Sequence, residues 1–215
     1  MTDRENVFAI KEMFFYADRL SNIHRYPMWD RIREMNVAEH SMRVTMLAMM
    51  MADFYNKDAK KKDKVNVELL MRKALLHDFE EALTGDIAHP IKHHSEEAEQ
   101  FFGDLTDDML VNKMFVYADK AYMTYVSESK AGKEGQIIAI ADMAEILFYT
   151  YREVRLGNDV IYILLSRCRD YLIKMTKDTE FTYIVDLSTH IINLASQHVK
   201  FTPGLLEDEY GTLQS

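Results

Sequence analysis

Residues 66–86 read NVELLMRKALLHDFEEALTGD. Asn66 is a helix-capping residue type placed ahead of an apolar, periodic run. Leu70, Ala74, His77 and Glu81 follow at spacings of four, three and four. They therefore share one face of a helix that the pattern predicts from Asn66 to about Thr84, broken by Gly85 and Pro90. Two of those four inward positions are ionisable. Asp78 lies about 100° further round the same helix, three residues before Glu81.

The same anomaly recurs on two other helices. His40 precedes Val44, Leu47 and Met51 at spacings of four, seven and eleven, so it points inward with them. Ile138, Asp142, Glu145 and Tyr149 repeat the pattern. Further helical stripes are carried by Val7, Ile10, Phe14 and Ala17, by Phe54 beyond Met51, by Ile161, Leu164, Cys168, Tyr171 and Met175, and by Ile184, Leu187, Ile191 and Ala195. The 215 residues hold only 7 Gly and 3 Pro, too few for the turns of a sheet-rich fold. The expectation is an all-α chain with one domain over residues 1–203 and a loosely held tail at 204–215.

Charge narrows the partners. The net charge is −9, unfavourable for a protein that grips a nucleic-acid backbone. The run KDAKKKDK at 57–64 reads as a solvated loop. The single Cys168, on an apolar stripe, excludes an internal disulfide framework and a thiolate-rich zinc site and fits a reducing cytoplasm. Asp3, Arg4, Glu5, Lys11 and Glu12 interrupt the first residues where a signal peptide would be apolar. The longest apolar run, 46–52, is far too short to cross a membrane.

Burying His40, His77, Asp78, Glu81, Asp142 and Glu145 without partners would cost several kcal/mol for each charged group. A divalent cation would satisfy several at once. Two His and two Asp make a mixed nitrogen and oxygen set suited to Co, Mn, Zn, Ni, Fe or, less well, Mg. Four protein ligands would leave positions open for water and substrate. Glu145 is either a residue that orients a ligand or an arginine partner.

An isolated His, an adjacent His-Asp pair and a distant Asp resemble the HD-domain signature, here His40, His77-Asp78 and Asp142. The surrounding words, N36-V-A-E-H-S41, H77-D-F-E-E-A-L-T-G-D86 with P90-I-K92, and A141-D142, are similar to the bacterial 5′-deoxynucleotidase (YfbR-like) branch over roughly residues 10–175. The resemblance implies an HD-type bundle of about six to seven helices around one metal, a homodimer, and hydrolysis of 5′-phosphates from deoxynucleosides. It implies His40, His77, Asp78 and Asp142 as ligands and Glu81 as the proton-transfer residue. Arg25 falls at the phosphate. Asp86, with Ile87, Ala88 and His89, falls in the substrate loop, and Lys92 is a second phosphate contact. Where the family has Trp after the arginine this chain has Tyr26, which would either relax the preference for deoxyribose or change which phosphorylated form is accepted. His93 and His94 read as a wet loop beside the site.

Glu81 is one helical turn from His77, and its burial beside Asp78 favours the protonated form. Two alternatives remain open. One is a triphosphate or pyrophosphate hydrolase, for which only Arg19, Arg31 and Arg33 supply further cations near Arg25. The other is a catalytically silent nucleotide-binding module.

Overall fold

The computed structural model describes residues 2–92 and 94–200, with the side chains of His89 and Pro90 outside the described set. His93 and the expected tail at 204–215 also lie outside it. Helices dominate: α1 (Asp3–Leu20), α2 (Val37–Asp58), α3 (Val67–Leu76), α4 (Glu81–Thr84), α5 (His89–Lys92), α6 (Glu96–Met109), α7 (Lys120–Ser127), α8 (Gly132–Arg155), α9 (Tyr162–Thr176) and α10 (Tyr183–Ser196). Eight of the described helices have eight residues or more, slightly above the six to seven expected. The only pairing of extended backbone among the described residues is a β-bridge between His24 and Asn36.

Caps fix the helix starts that matter here. Thr2 and Glu5 form a capping box on α1, and Asn36 accepts from the Glu39 N–H at the head of α2. Asn66 accepts from Leu69 N–H at the head of α3, as the sequence led one to expect.

The chain forms two compact units. The first holds Met35–Ile138 and the chain before Trp29; the second holds Trp29–Glu34 and the chain from Ala139 onward. In the first, α2 packs on α3, and α1 meets α4. Its aromatic core joins Leu20, Val37, Leu76, Phe79, Leu110, Met114, Phe115 and Val126. Phe79 stacks on Phe115 with centroids 5.8 Å apart. In the second unit α9 packs on α10, burying Leu165, Cys168, Leu172, Ile184, Ile191 and Ala195.

Three expectations are corrected. The third helix does not run to Thr84. It ends at Leu76, and residues 77–80 form a tight turn before α4. Bonds from Phe79 N–H to Leu76 O and from Glu81 N–H to Asp78 O span three residues, which brings positions i and i+3 over one another. Leu76 and Phe79 thereby enter one core together. The second correction concerns α1: Val7, Ile10 and Phe14 are exposed, and Leu20 with partly buried Met13 and Tyr16 packs instead. The third is that Phe54, expected on the inward stripe beyond Met51, is exposed, as are Met42, Met46 and Met50 on α2.

Candidate metal and substrate site

The tight turn after α3 places the site. Phe79 is buried in the aromatic core, and removing such a ring costs about 3–5 kcal/mol. That anchor holds His77 and Asp78 on one side of it and Glu80 and Glu81 on the other. His40 enters from the first turn of α2 and is fully buried.

His40, His77 and Asp78 each offer a ligand atom, and the three lie within 4.8 Å of one another. Asp78 Oδ2 is 3.2 Å from His77 Nε2 and 3.5 Å from His40 Nε2. His77 Nδ1 lies 2.8 Å from the Ala74 carbonyl. A carbonyl only accepts, so Nδ1 carries a proton, and Nε2 is the ring atom turned to Asp78 and available to an ion. Two imidazole nitrogens and a carboxylate, one ring already oriented by a backbone carbonyl, suit a divalent transition ion. The described residues therefore fit the group that the sequence suggested.

Arg25 sits against this cluster. The β-bridge and the bond from Arg25 N–H to Met35 O, 2.8 Å, fix its backbone beside the start of α2. Its guanidinium is 3.0 Å from Asp78, 3.7 Å from Glu81 and 3.9 Å from Asp86. Asp78 and Glu81 are three residues apart, so the turn itself stacks both carboxylates over one cation. Burial alone would raise the Asp78 pKa, but His77, His40 and Arg25 more than reverse that and hold it well below the usual carboxylate range. Glu81 goes the other way. Burial first, and then the charge of Asp78, push it up to about 9, the direction expected from its place in the sequence.

Tyr26 takes a left-handed backbone, φ 59°, strain of about 1–3 kcal/mol that a packed surrounding must hold. Gly85, φ 74°, turns the chain from α4 towards Asp86. Asp86, Ile87 and Ala88 are partly buried on that segment, and the side chain of His89 lies outside the described residues. Lys92 faces Glu80, with 3.7 Å between Nζ and Oε1. Asp142 stands on α8 in the second unit, partly buried, and Glu145 is buried one turn on. Cys168 is core, its thiol pushed up to about 12 by burial and then by the charge of Asp142.

Sequence reasoning missed Glu80 and Glu153. Glu153 is fully buried in the second unit, where it accepts from the N–H groups of Ile32 and Arg33, both at 2.8 Å, and from Asn158 Nδ2 at 2.9 Å. The signal was present: Glu153 continues the inward stripe of Asp142 and Tyr149, four residues beyond the latter.

The all-helical fold with its paired His-Asp turn is that of the HD-type phosphohydrolases. An HD-domain phosphohydrolase from Listeria innocua aligns with TM-score 0.59 and 27% identity, covering 86% of this chain and 98% of its own. The match to the family described as 5′-deoxynucleotidase YfbR-like runs over residues 12–189, and the chain belongs to that family. Among relatives, 5′-deoxynucleotidase YfbR of Salmonella typhi is 26% identical over 182 residues, covering 82% of this chain and 90% of its own. The Escherichia coli O1:K1 protein of that name is 24% identical over 196 residues, 88% and 97% of the two chains. At the level of fold alone, a cyanophage S-2L HD phosphohydrolase, DatZ, solved with dA and one catalytic zinc ion, aligns with TM-score 0.52 and 18% identity over 87% and 96% of the chains.

Proposed function

We propose that this protein is a metal-dependent 5′-nucleotidase that hydrolyses (deoxy)nucleoside monophosphates to nucleoside and phosphate. The observation that carries the reading is the convergence of His40, His77 and Asp78 within 4.8 Å, with Arg25 and Glu81 against them. Membership of a family whose relatives bear the name 5′-deoxynucleotidase supports the substrate class.

His40, His77 and Asp78 would hold one divalent ion, with Asp142 as fourth ligand on the strength of its place in the motif. Such an ion supplies Lewis acidity and a water of lowered pKa. Arg25 grips the phosphate by charge-assisted hydrogen bonds, exchanging part of its contact with Asp78 and Glu81 for the substrate. Water attacks phosphorus as the P–O5′ bond breaks; Glu81, held protonated, delivers its proton to the departing O5′ and regains one from the attacking water, whose other proton stays on the phosphate. Asp86, Ile87, Ala88 and His89 form the loop that receives the sugar. Tyr26, in place of a larger Trp, leaves room at the 2′ position.

Two coarser features complete the reading. The exposed apolar stripes of α1 and α2 support a homodimer built on the first unit. Among the described residues no helix is long and apolar enough to cross a membrane; the one cysteine, buried, supports a cytoplasmic setting.

The test is product analysis with Mn, Co, Zn or Mg supplied separately and nucleoside mono- and triphosphates in deoxy and ribo forms. Inorganic phosphate from monophosphates, lost in His77→Ala, supports the reading. Tripolyphosphate or pyrophosphate overturns the substrate class. Equal use of ribo forms that Tyr26→Trp converts to a deoxy preference assigns the sugar selectivity to residue 26.

A further inference from the structure

The tip of the loop between α1 and α2 is fastened by polar contacts. None of residues 28–34 is buried, and Met28 and Ile32 are 72% and 56% exposed, so little of the tip is held by apolar packing. One face of α8 holds it instead. Glu153, fully buried, accepts the Ile32 N–H on one carboxylate oxygen and the Arg33 N–H on the other, both at 2.8 Å. Tyr149, one turn back, donates its hydroxyl to the Arg33 carbonyl at 2.9 Å. Asn158 donates its amide to Glu153 at 2.9 Å and to the Asp30 carbonyl at 2.7 Å. Burial first, and then the charge of Glu153, push the Tyr149 pKa up to about 12, so the hydroxyl keeps the proton it donates. A buried carboxylate is a costly way to fasten a loop, because its desolvation must be offset by well-placed donors. What it gives is orientation: two successive N–H groups on two oxygens fix how the tip is turned as well as where it lies.

The base of the loop is fastened as well. The bridge between His24 and Asn36 and the bond from Arg25 N–H to Met35 O tie it to the head of α2, where Met35 and Val37 are buried. Tyr26 stands between base and tip with φ 59°. A bulky residue in the left-handed region relaxes unless the chain on both sides of it is held. The base holds one side, and the clamp on residues 30–33 holds the other through Pro27 and Met28. Residues 30–33 belong to the second unit and Tyr26 to the first; the link between them is the chain itself. Arg25 is next to that strained position. Asp78, Glu81 and Asp86 all face its guanidinium and compete with a phosphate for it, so its aim depends on how firmly its backbone is held.

We propose that Glu153 is a positioning residue for the phosphate-gripping arginine: by fixing residues 30–33 it keeps Tyr26 in its left-handed backbone and Arg25 aimed at the phosphate. The inference rests on the nucleotidase reading above, in which Arg25 meets the phosphate. Glu153 touches no substrate and moves no proton; it acts through the chain. Misplacing a substrate-holding group by about 1 Å costs up to about a hundredfold in rate, so a fastening remote from the chemistry is enough to set how well the phosphate is held. Glu153→Gln keeps the shape and one acceptor oxygen but turns an amide donor towards one of the two backbone N–H groups, which pushes the tip away from α8. Tyr149→Phe removes one bond, keeps the ring in its packing and loosens the same residues.

The measurements are made on the metal-loaded protein: KM and kcat for the deoxynucleoside monophosphate that the wild type hydrolyses fastest, calorimetric binding of inorganic phosphate, and metal content. Glu153→Gln should raise KM and the phosphate Kd by at least about tenfold, with kcat within about threefold and metal content unchanged. Tyr149→Phe should move both constants the same way by about threefold, and it carries the test if the glutamine variant fails to fold. In an Arg25→Ala background neither substitution should raise KM or Kd further, because the residue that the clamp aims is gone. A role in stability alone would lower the melting temperature and leave KM and the phosphate Kd at wild-type values; that result overturns the inference while leaving the reaction standing. A tenfold rise in KM that persists in the Arg25→Ala background overturns it too. If the wild type hydrolyses no monophosphate, yet Glu153→Gln weakens phosphate binding only where Arg25 is present, the positioning role stands and the nucleotidase reading falls.

Discussion

The Nδ1 of His77 lies 2.8 Å from the carbonyl oxygen of Ala74, one turn back on α3. This bond puts a proton on Nδ1 and fixes the ring, so that Nε2 is the atom turned to Asp78. A ligand whose orientation is fixed before any ion arrives binds with less loss of freedom. His77→Ala should therefore lower bound metal by at least about tenfold, read as metal content by mass spectrometry after gel filtration. Wild-type metal content in the variant would remove His77 from the site.

Arg25 meets three carboxylates through one planar group, a task that a lysine's point charge does less well. Arg25→Lys should raise KM for a monophosphate by at least about tenfold, equivalent to about 1.4 kcal/mol, with a smaller effect on kcat. A pure kcat effect would mean that Arg25 acts in the transition state and not in holding the phosphate.

Glu81 gives a pH signature in the metal-free protein. Its pKa rises from 4.5 to about 9 on folding, so between those values the folded state holds a proton that the unfolded chain has released. Its contribution to stability is best below the lower value and falls as pH climbs towards the upper one. Glu81→Gln removes that fall. The melting temperature of the variant relative to wild type, measured with chelator present, should increase from about pH 5 to about pH 8. A constant difference would show that Glu81 is ionised in the fold.

Glu153 holds two backbone N–H groups and an amide in a buried setting. Glu153→Ala leaves three donors unmet and should cost about 2–3 kcal/mol in denaturant unfolding. Glu153→Gln, with one acceptor oxygen retained, should fall between the variant and wild type. A loss under about 0.5 kcal/mol in the alanine variant would place the strength of this segment elsewhere.

In the homodimer proposed above, Phe14 on α1 and Met42, Met46 and Met50 on α2, all exposed, are the side chains that a second copy would cover. Phe14→Glu or Met46→Glu should shift the protein towards a monomer in analytical ultracentrifugation. Two variants that sediment as the wild type does would count against a dimer through these faces.

How much of this was legible in the sequence depends on distance along the chain. His40 and His77 were visible because each breaks an apolar stripe, and Asp78 because it forms the adjacent pair of the motif that those stripes point to. The break of α3 at His77 was not, since HDFEEAL has good local helix propensity and only the shared burial of Leu76 and Phe79 forces a three-residue turn. Nor was the outward face of α1 visible. Periodicity says that Val7, Ile10 and Phe14 lie together, but not which of two faces meets the core. The pairing of Glu80 with Lys92 lay beyond reach for a related reason: it joins α5 to the turn ahead of α4, and neither segment has a period of its own long enough to read.

The loop tip at residues 29–34 has a consequence for how the chain is made. Its hydrogen bonds run to Glu153, Tyr149 and Asn158, across separations of 116 to 128 residues, while the bridge at its base joins His24 to Asn36 locally. On the ribosome the base can close early. The tip must wait with its backbone groups in water until α8 has emerged and the loop-closure entropy of that long separation is met. A nascent chain arrested before residue 149 should therefore expose residues 29–34 to proteases, and release past Asn158 should protect them.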